Sequence, residues 1–285
     1  MIPQEFEYTA PATLAEALTL LDGGNAKALA GGMSLIPLMK LRFAAPEHLV
    51  DIGRLADLNY IREDAEGIHV GAASTHYQVE NSALLRGKCP LLAEAASNIG
   101  DMQVRNMGTI GGSVAHADPA ADYPASLLAL EATVKLVSAH GERTVSIQDF
   151  FIDTFTTALE PGEIVREVVV PVEDSGAGTS YQKVVQPASG FAIVGIAARV
   201  RKEGGKVSFV RVGVTGLASK PYRAQNVEQA LAGSAGQLAD LQKAAAVVAV
   251  GVDANSDLHG SAAYRSHLAR VYTTRALAAA LARAA

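Results

Sequence analysis

Leu29-Ala30-Gly31-Gly32-Met33-Ser34 and, eighty residues further on, Thr109-Ile110-Gly111-Gly112-Ser113 decide how this chain is read. Each stretch sets adjacent glycines beside a hydroxyl side chain, and the first follows a short apolar run. Glycine has no Cβ, so a Gly-Gly step can take positive φ and let another group approach the backbone closely. Successive N–H groups can then converge on an anion, with a Ser or Thr hydroxyl as a further donor. One such step between apolar runs is an ordinary turn. Two of them meeting in space would embrace an extended diphosphate from both sides. No G-x-G-x-x-G opens a helix and no G-x-x-x-x-G-K-S/T occurs, which argues against a Rossmann dinucleotide domain and a P-loop.

Outward from the first stretch, Thr13-Leu14-Ala15-Glu16 has capping-box spacing, and Leu14, Ala17, Leu18 and Leu21 share one helical face. Gly23-Gly24 ends that helix. Residues 27–30 read as a strand delivering the loop, 35–41 as a helix with Pro37 in its first turn, and 50–52 as a further strand. A hairpin at 60–62 and 68–70 flanks Asp64-Ala65-Glu66-Gly67. Helical patterns follow at 75–85, 91–99 and 124–130, and 134–137 with 165–170 read as strands of one sheet. Glu173-Asp174-Ser175-Gly176-Ala177-Gly178 is the clearest linker. Beyond it come strands at 180–185, 191–200 and 207–215, then helices at 227–232, 237–250 and 262–282. The expected class is α+β. Residues 1–172 form two units, a small α/β one (1–55) and a larger α+β one (56–172). Residues 178–285 form a second domain, a three-stranded antiparallel sheet with helices.

Composition narrows the function. The chain has 285 residues, 49% hydrophobic and 19% charged, as a globular core requires. A net charge of −5, scattered Lys and Arg, and 5% aromatics without Trp leave no nucleic-acid footprint. The single Cys89 permits no internal disulfide and no multi-cysteine metal site, and beside Pro90 it reads as a small buried hydrophobe. His116 with Asp118 lacks further ligands, so no metal is expected. The opening MIPQEFEYTAPAT has neither the basic start nor the apolar stretch of a signal peptide. Residues 276–284 are too short for a bilayer and broken by Arg283, so no transmembrane segment is expected. The expected setting is cytoplasmic.

AGGMSLIPLMKLR (30–42) and MGTIGGSVAHADPAADYPA (107–125) resemble the FAD-binding flavin subunit of the molybdenum hydroxylases, the family of carbon monoxide dehydrogenase and xanthine dehydrogenase. The opening IPQEFEY, the PEHLVDI segment and the carboxy-terminal half fit as well, so the resemblance spans essentially the whole chain. It implies FAD bound by residues 1–172, and partners in a small [2Fe–2S] subunit and a large molybdenum-cofactor subunit, assembled as a dimer of heterotrimers. Electrons would pass from the clusters through FAD to an external acceptor. No residue of this chain need be catalytic toward the substrate.

The resemblance also implies site residues. Leu29, Ala30, Gly31, Gly32, Met33, Ser34 and Leu35 would line the diphosphate from one side, and Thr109, Ile110, Gly111, Gly112 and Ser113 from the other. Glycine N–H groups and the Ser34, Thr109 and Ser113 hydroxyls would donate. Asp122 would bind a sugar or ribityl hydroxyl, with N-capping ahead of Pro124 as its competing role. Ile99 would pack on the adenine or simply in the core. Ile164 or Val165 would approach the flavin through backbone groups. Lys183 would sit at the pyrimidine edge, or be an exposed strand residue. Phe191 falls where relatives carry a tyrosine that shields the flavin. It keeps the ring and loses the hydroxyl. Ser113 replaces the Asn of many relatives, and Met33 replaces His or Gln, which points to a backbone role there. Two other readings stay open at this point. A self-sufficient flavin oxidoreductase would need its own acid–base group beside the flavin. An assembly protein that has lost FAD would have no reason to keep both glycine pairs.

Overall fold

The computed structural model describes residues 2–173 and 176–284. The first unit is a three-stranded parallel sheet in which His48–Asp51 lies between Glu7–Thr9 and Ala26–Leu29. Its helix, Leu14–Asp22, begins where the Thr13 hydroxyl accepts the Glu16 N–H. The apolar stripe seen in the sequence is the buried one: Ala17, Leu18 and Leu21 join Val50 and Ile52 in a small core.

The second unit is a five-stranded antiparallel sheet in the order Ile61–Asp64, Gly67–Gly71, Ile164–Val170, Thr133–Ser138, Gly141–Ser146. The two strands expected to share a sheet are direct neighbours, with Val168 opposite Val134. The helical run at 75–85 divides into His76–Asn81 and Ala83–Lys88. Ser82 ends the first piece, and its hydroxyl caps the second by accepting the Leu85 N–H. Tyr123–Leu130, apolar all round in sequence, is buried all round in the structure. It packs against strands of the carboxy-terminal sheet, closely enough that a Cβ on Gly213 would lie 1.9 Å from the Ala125 carbonyl oxygen.

That sheet runs Gly178–Val185, Ala192–Glu203, Lys206–Thr215, Tyr222–Arg223, all antiparallel. The three strands read from the sequence all form. A fourth, two residues long after Pro221, extends the edge; so short a strand carries no alternation to read. The 22-residue helix Ala262–Arg283 covers the first two strands. The expected helix at 237–250 stops earlier, as Leu238–Ala245, and 227–232 forms as Gln225–Leu231. Of the linker, Asp174 and Ser175 lie outside the described residues. Beside them Glu173 is tied in place, its N–H donating to the Lys88 carbonyl and its carboxylate accepting Arg199 Nε at 2.8 Å. Among the described residues no helix is long and apolar enough to cross a membrane.

Candidate functional site

The strand Ala26–Leu29 hands the chain to the first glycine pair, and the helix Leu35–Lys40 follows at once. Gly32 takes φ +70°, the left-handed turn the sequence called for. Ser34 stands at the N-cap without using its side chain as a cap. Among the described residues, the N–H groups of Gly31, Gly32, Met33, Ser34 and Leu35 have no acceptor. Free donors at a helix start make a natural anion seat.

The second glycine pair departs from expectation. It is the first turn of a helix, Ile110–His116, rather than a loop, and neither Gly111 nor Gly112 has positive φ. Its donors are largely spent within the chain. Ile110 N–H donates to the Ser74 carbonyl, Gly111 N–H to Ala72, Gly112 N–H to the Thr109 hydroxyl and Ser113 N–H to the Thr109 carbonyl. Thr109 is the N-cap, and capping accounts for its hydroxyl. Gly111 is needed for packing, since a Cβ would lie 2.4 Å from Ala72 Cβ and 2.7 Å from its Cα. What this helix turns outward is Gly112, which is exposed, and half-buried Ser113, whose hydroxyl has no partner among the described residues. Convergent glycine N–H groups on both sides are therefore corrected to free N–H groups on one side and a helix shoulder on the other.

The two stretches do meet. A Cβ on Gly31 would lie 2.0 Å from the Met107 carbonyl oxygen and 2.7 Å from Gly108 Cα. Beneath that junction is His76, whose Nε2 would be 2.6 Å from a Cβ on Gly108 and whose Nδ1 is 3.1 Å from the Tyr123 hydroxyl. Burial, helped by the Arg105 charge, draws the His76 pKa down to about 4, so the imidazole is neutral near pH 7.

Asp122 anchors a second cluster. It is only 4% exposed and makes no capping bond, so the N-cap alternative fails. Its carboxylate accepts the Tyr181 hydroxyl at 2.6 Å and Lys183 Nζ at 2.9 Å, and Nζ also donates to the Asn98 carbonyl at 2.8 Å. The Lys183 side chain is thus buried, and the exposed-strand alternative fails with it. Burial pushes the Asp122 pKa up to about 6, with Lys183 and Tyr181 pulling it back. Near pH 7 the two form an ion pair with almost no net charge. Lys183 alone does not present a positive charge to a neighbour.

Ile99 follows Asn98, half-buried against the main core, and its carbonyl accepts Arg105 Nη1 at 3.0 Å. Gly190, at φ +76°, brings its backbone against Gly100, with a would-be Cβ 3.6 Å from Gly100 Cα. Phe191 comes next, 44% exposed, just before the strand rather than inside it. Ile164 and Val165 are core residues in the ladder opposite Val137 and Leu136. Sequence reasoning missed Tyr181, the Asn98 carbonyl, His76 and Tyr123. Their partners lie dozens of residues away, where no local pattern reports them.

Residues 4–173 match the family model of the FAD binding domain in molybdopterin dehydrogenase. Residues 179–280 match that of the CO dehydrogenase flavoprotein C-terminal domain. The chain is 42% identical to the carbon monoxide dehydrogenase medium chain of Hydrogenophaga pseudoflava, covering 100% of each. It is 40% identical to the glyceraldehyde dehydrogenase medium chain of Sulfolobus acidocaldarius, covering 97% of this chain and 98% of that one. The solved structure of carbon monoxide dehydrogenase from Hydrogenophaga pseudoflava contains a chain that matches at TM-score 0.97 and 43% identity over the full length of both. Family models thus account for nearly every residue, and the chain belongs to the FAD-binding flavoprotein subunits of the molybdopterin dehydrogenases, as an oxidoreductase component.

Proposed function

We propose that this chain holds one FAD and carries electrons from the [2Fe–2S] clusters of a small partner subunit to an external acceptor. Substrate oxidation takes place on a large partner subunit with the molybdenum cofactor. The unit is a heterotrimer, doubled by two-fold symmetry and cytoplasmic. One observation carries the reading: five consecutive free N–H groups, at Gly31 to Leu35, lie where Gly31 touches Met107 and Gly108. The residues present fit the cofactor. The free donors and helix start suit a diphosphate, and the missing Cβ at Gly31 is what allows the junction to close.

Bound FAD supplies reversible two-electron chemistry, which no side chain here can supply. The chain's own residues bind and orient. Leu29 and Ala30 deliver the donor run of Gly31, Gly32, Met33, Ser34 and Leu35. Thr109, Ile110 and Gly111 fix the facing helix, and Gly112 with the Ser113 hydroxyl forms its open side. Asp122 holds Lys183 against Asn98. Ile99 packs beside the adenine, Ile164 or Val165 approaches the flavin through backbone groups, and Phe191 is a cover. We take 1–172, divided at 55, as the cofactor domain and 178–285 as its carboxy-terminal partner. Each iron–sulfur cluster needs four thiolates, whereas this chain has one cysteine, which is buried. The clusters therefore belong to another subunit.

The purified chain should show flavin absorbance, release the flavin on mild acid precipitation, and reduce no dye on addition of an organic substrate. Adding both partner subunits should restore turnover. Oxidation of a small substrate by the chain alone would instead identify a self-sufficient flavoenzyme. A chain that cannot be loaded with FAD would identify an assembly protein.

A further inference from the structure

Residues 98–108 lead from the helix Pro90–Ser97 to the second glycine stretch, and each end of the segment touches parts of the molecule distant in sequence. At its start the Asn98 carbonyl accepts Lys183 Nζ at 2.8 Å, and Gly100 lies against Gly190, whose would-be Cβ is 3.6 Å from Gly100 Cα. At its end Met107 and Gly108 close on Gly31, and the Gly108 carbonyl accepts the His76 N–H at 2.9 Å. The carboxy-terminal sheet, the first glycine stretch and the helix His76–Asn81 therefore all bear on this one segment.

A single side chain ties it together. Arg105 stands in the helix Met102–Met107 with only 13% of its side chain exposed. Its Nη1 donates back to the Ile99 carbonyl at 3.0 Å and the Gly100 carbonyl at 3.2 Å, and its Nη2 lies 3.1 Å from Met102 Sδ. Its Nε faces Glu80 Oε2 at 2.9 Å, and Glu80 belongs to the helix His76–Asn81. The turn it grips is tight: Gly100 takes φ +48°, and a Cβ there would lie 2.8 Å from Val104 Cβ. A guanidinium is a rigid fork with donors fixed in one plane, so it sets the turn, its own helix and the neighbouring helix relative to one another. A lysine ammonium is a point charge on a flexible stem and cannot span two carbonyls and a carboxylate. Nearby Arg86 makes contacts of the same kind, Nε to the Glu80 carbonyl at 2.7 Å and Nη2 to Asn81 Oδ1 at 2.8 Å, yet it touches neither end of the segment.

We propose that Arg105 is a positioning residue that makes residues 98–108 a strut, holding the Asn98 seat of Lys183 and the glycine junction at a fixed separation for one dinucleotide to bridge. Its service to FAD rests on the flavin reading above; the strut itself does not. Arg105 acts through backbone carbonyls and Glu80, so it needs no contact of its own with the cofactor.

The test uses the full chain with Arg105→Gln, Arg105→Lys and, as control, Arg86→Gln. FAD affinity is titrated where urea curves show each variant folded, and the visible circular dichroism of the bound flavin is read at saturating FAD. Arg105→Gln should raise the FAD Kd at least tenfold and alter that spectrum, because the Lys183 seat shifts relative to the junction. Arg105→Lys should fall between it and the parent, and Arg86→Gln should match the parent in both. A residue that only stabilises the fold would lower the urea midpoint and leave the Kd and spectrum of the folded chain alone. That outcome in Arg105→Gln, or in Arg105→Lys should the first variant not fold, would overturn the proposal. In the FAD-free chain the His76 amide should exchange with solvent at least tenfold faster in Arg105→Gln, and unchanged exchange would overturn the strut. A parent chain that cannot be loaded with FAD sinks the flavin reading alone, because amide exchange still scores the strut.

Discussion

Gly111 and Gly112 are neighbours of one residue type, and the structure gives them opposite sensitivities. A methyl group at Gly111 collides with the backbone and side chain of Ala72, which is overpacking in a closed core. Gly111→Ala should therefore lose about 1–3 kcal/mol of unfolding free energy in urea titrations. At Gly112 the nearest obstacle is the Thr109 hydroxyl at 2.9 Å, and a helical site favours alanine over glycine. Gly112→Ala should stay within about 0.5 kcal/mol of the parent while lowering FAD affinity. The reverse order of stabilities would refute the packing account. Lys183 is the other telling residue. Lys183→Met strands the buried Asp122 carboxylate, which should cost about 3–5 kcal/mol at pH 7. The Asp122 pKa is already raised to about 6, so its folded form holds a proton more readily than the unfolded chain. Its contribution is present below pH 4 and lost as pH rises through 6. The deficit of Lys183→Met should accordingly be largest at pH 8 and shrink toward pH 5. The glycine pairs stand out in the sequence itself, and Asp122 and Lys183 only through the family resemblance. Which atom each satisfies was not legible, because Tyr181 and Asn98 sit 59 and 24 residues from Asp122.

At the scale of elements, the helix His76–Asn81 ties the glycine junction to the core, since the neutral imidazole at its first residue fills the space between Gly108 and Tyr123. The His76 pKa is depressed from 6.5 to about 4, so the unfolded chain binds the proton first. Stability from this group is complete above pH 6.5 and drains away as pH falls toward 4, up to about 3 kcal/mol at 1.36 kcal/mol per unit. Urea midpoints at pH 4.5 and 7 should differ less in His76→Gln than in the parent. An equal or larger difference would show that acid sensitivity arises elsewhere. Long periodic elements such as 14–22 and 262–283 could be read from apolar spacing. Breaks were harder. Ser82 interrupts a run that keeps its apolar period, and Thr109 turns an apparent glycine loop into a helix because a hydroxyl accepts the Gly112 N–H.

For the whole molecule, a cofactor seated where the two glycine stretches meet would act as a fastener across units distant in sequence. A ligand bound only by the folded chain stabilises it by about 2.7 kcal/mol at a free concentration of 100 Kd. Thermal unfolding followed with rising FAD should show a midpoint that climbs steadily past saturation, and adenine alone should give little of that rise. A midpoint indifferent to FAD would argue that the junction at Gly31 is only structural. The two parts also touch without it: Arg283, in the last turn of the final helix, reaches Glu94 of the cofactor part at 3.0 Å while donating to the Thr179 carbonyl of its own part at 2.7 Å. One consequence concerns synthesis. Asp122 lies within the segment that matches the FAD-binding family model, yet Tyr181 and Lys183 lie beyond residue 173, where that segment ends. A nascent chain paused after residue 173 would lack both partners of that carboxylate, and a gene fragment cut at the family boundary would lack them too. If the Asp122 cluster serves the cofactor, loading should follow release of the carboxy-terminal strands, and a fragment of residues 1–173 should hold FAD more weakly than the full chain.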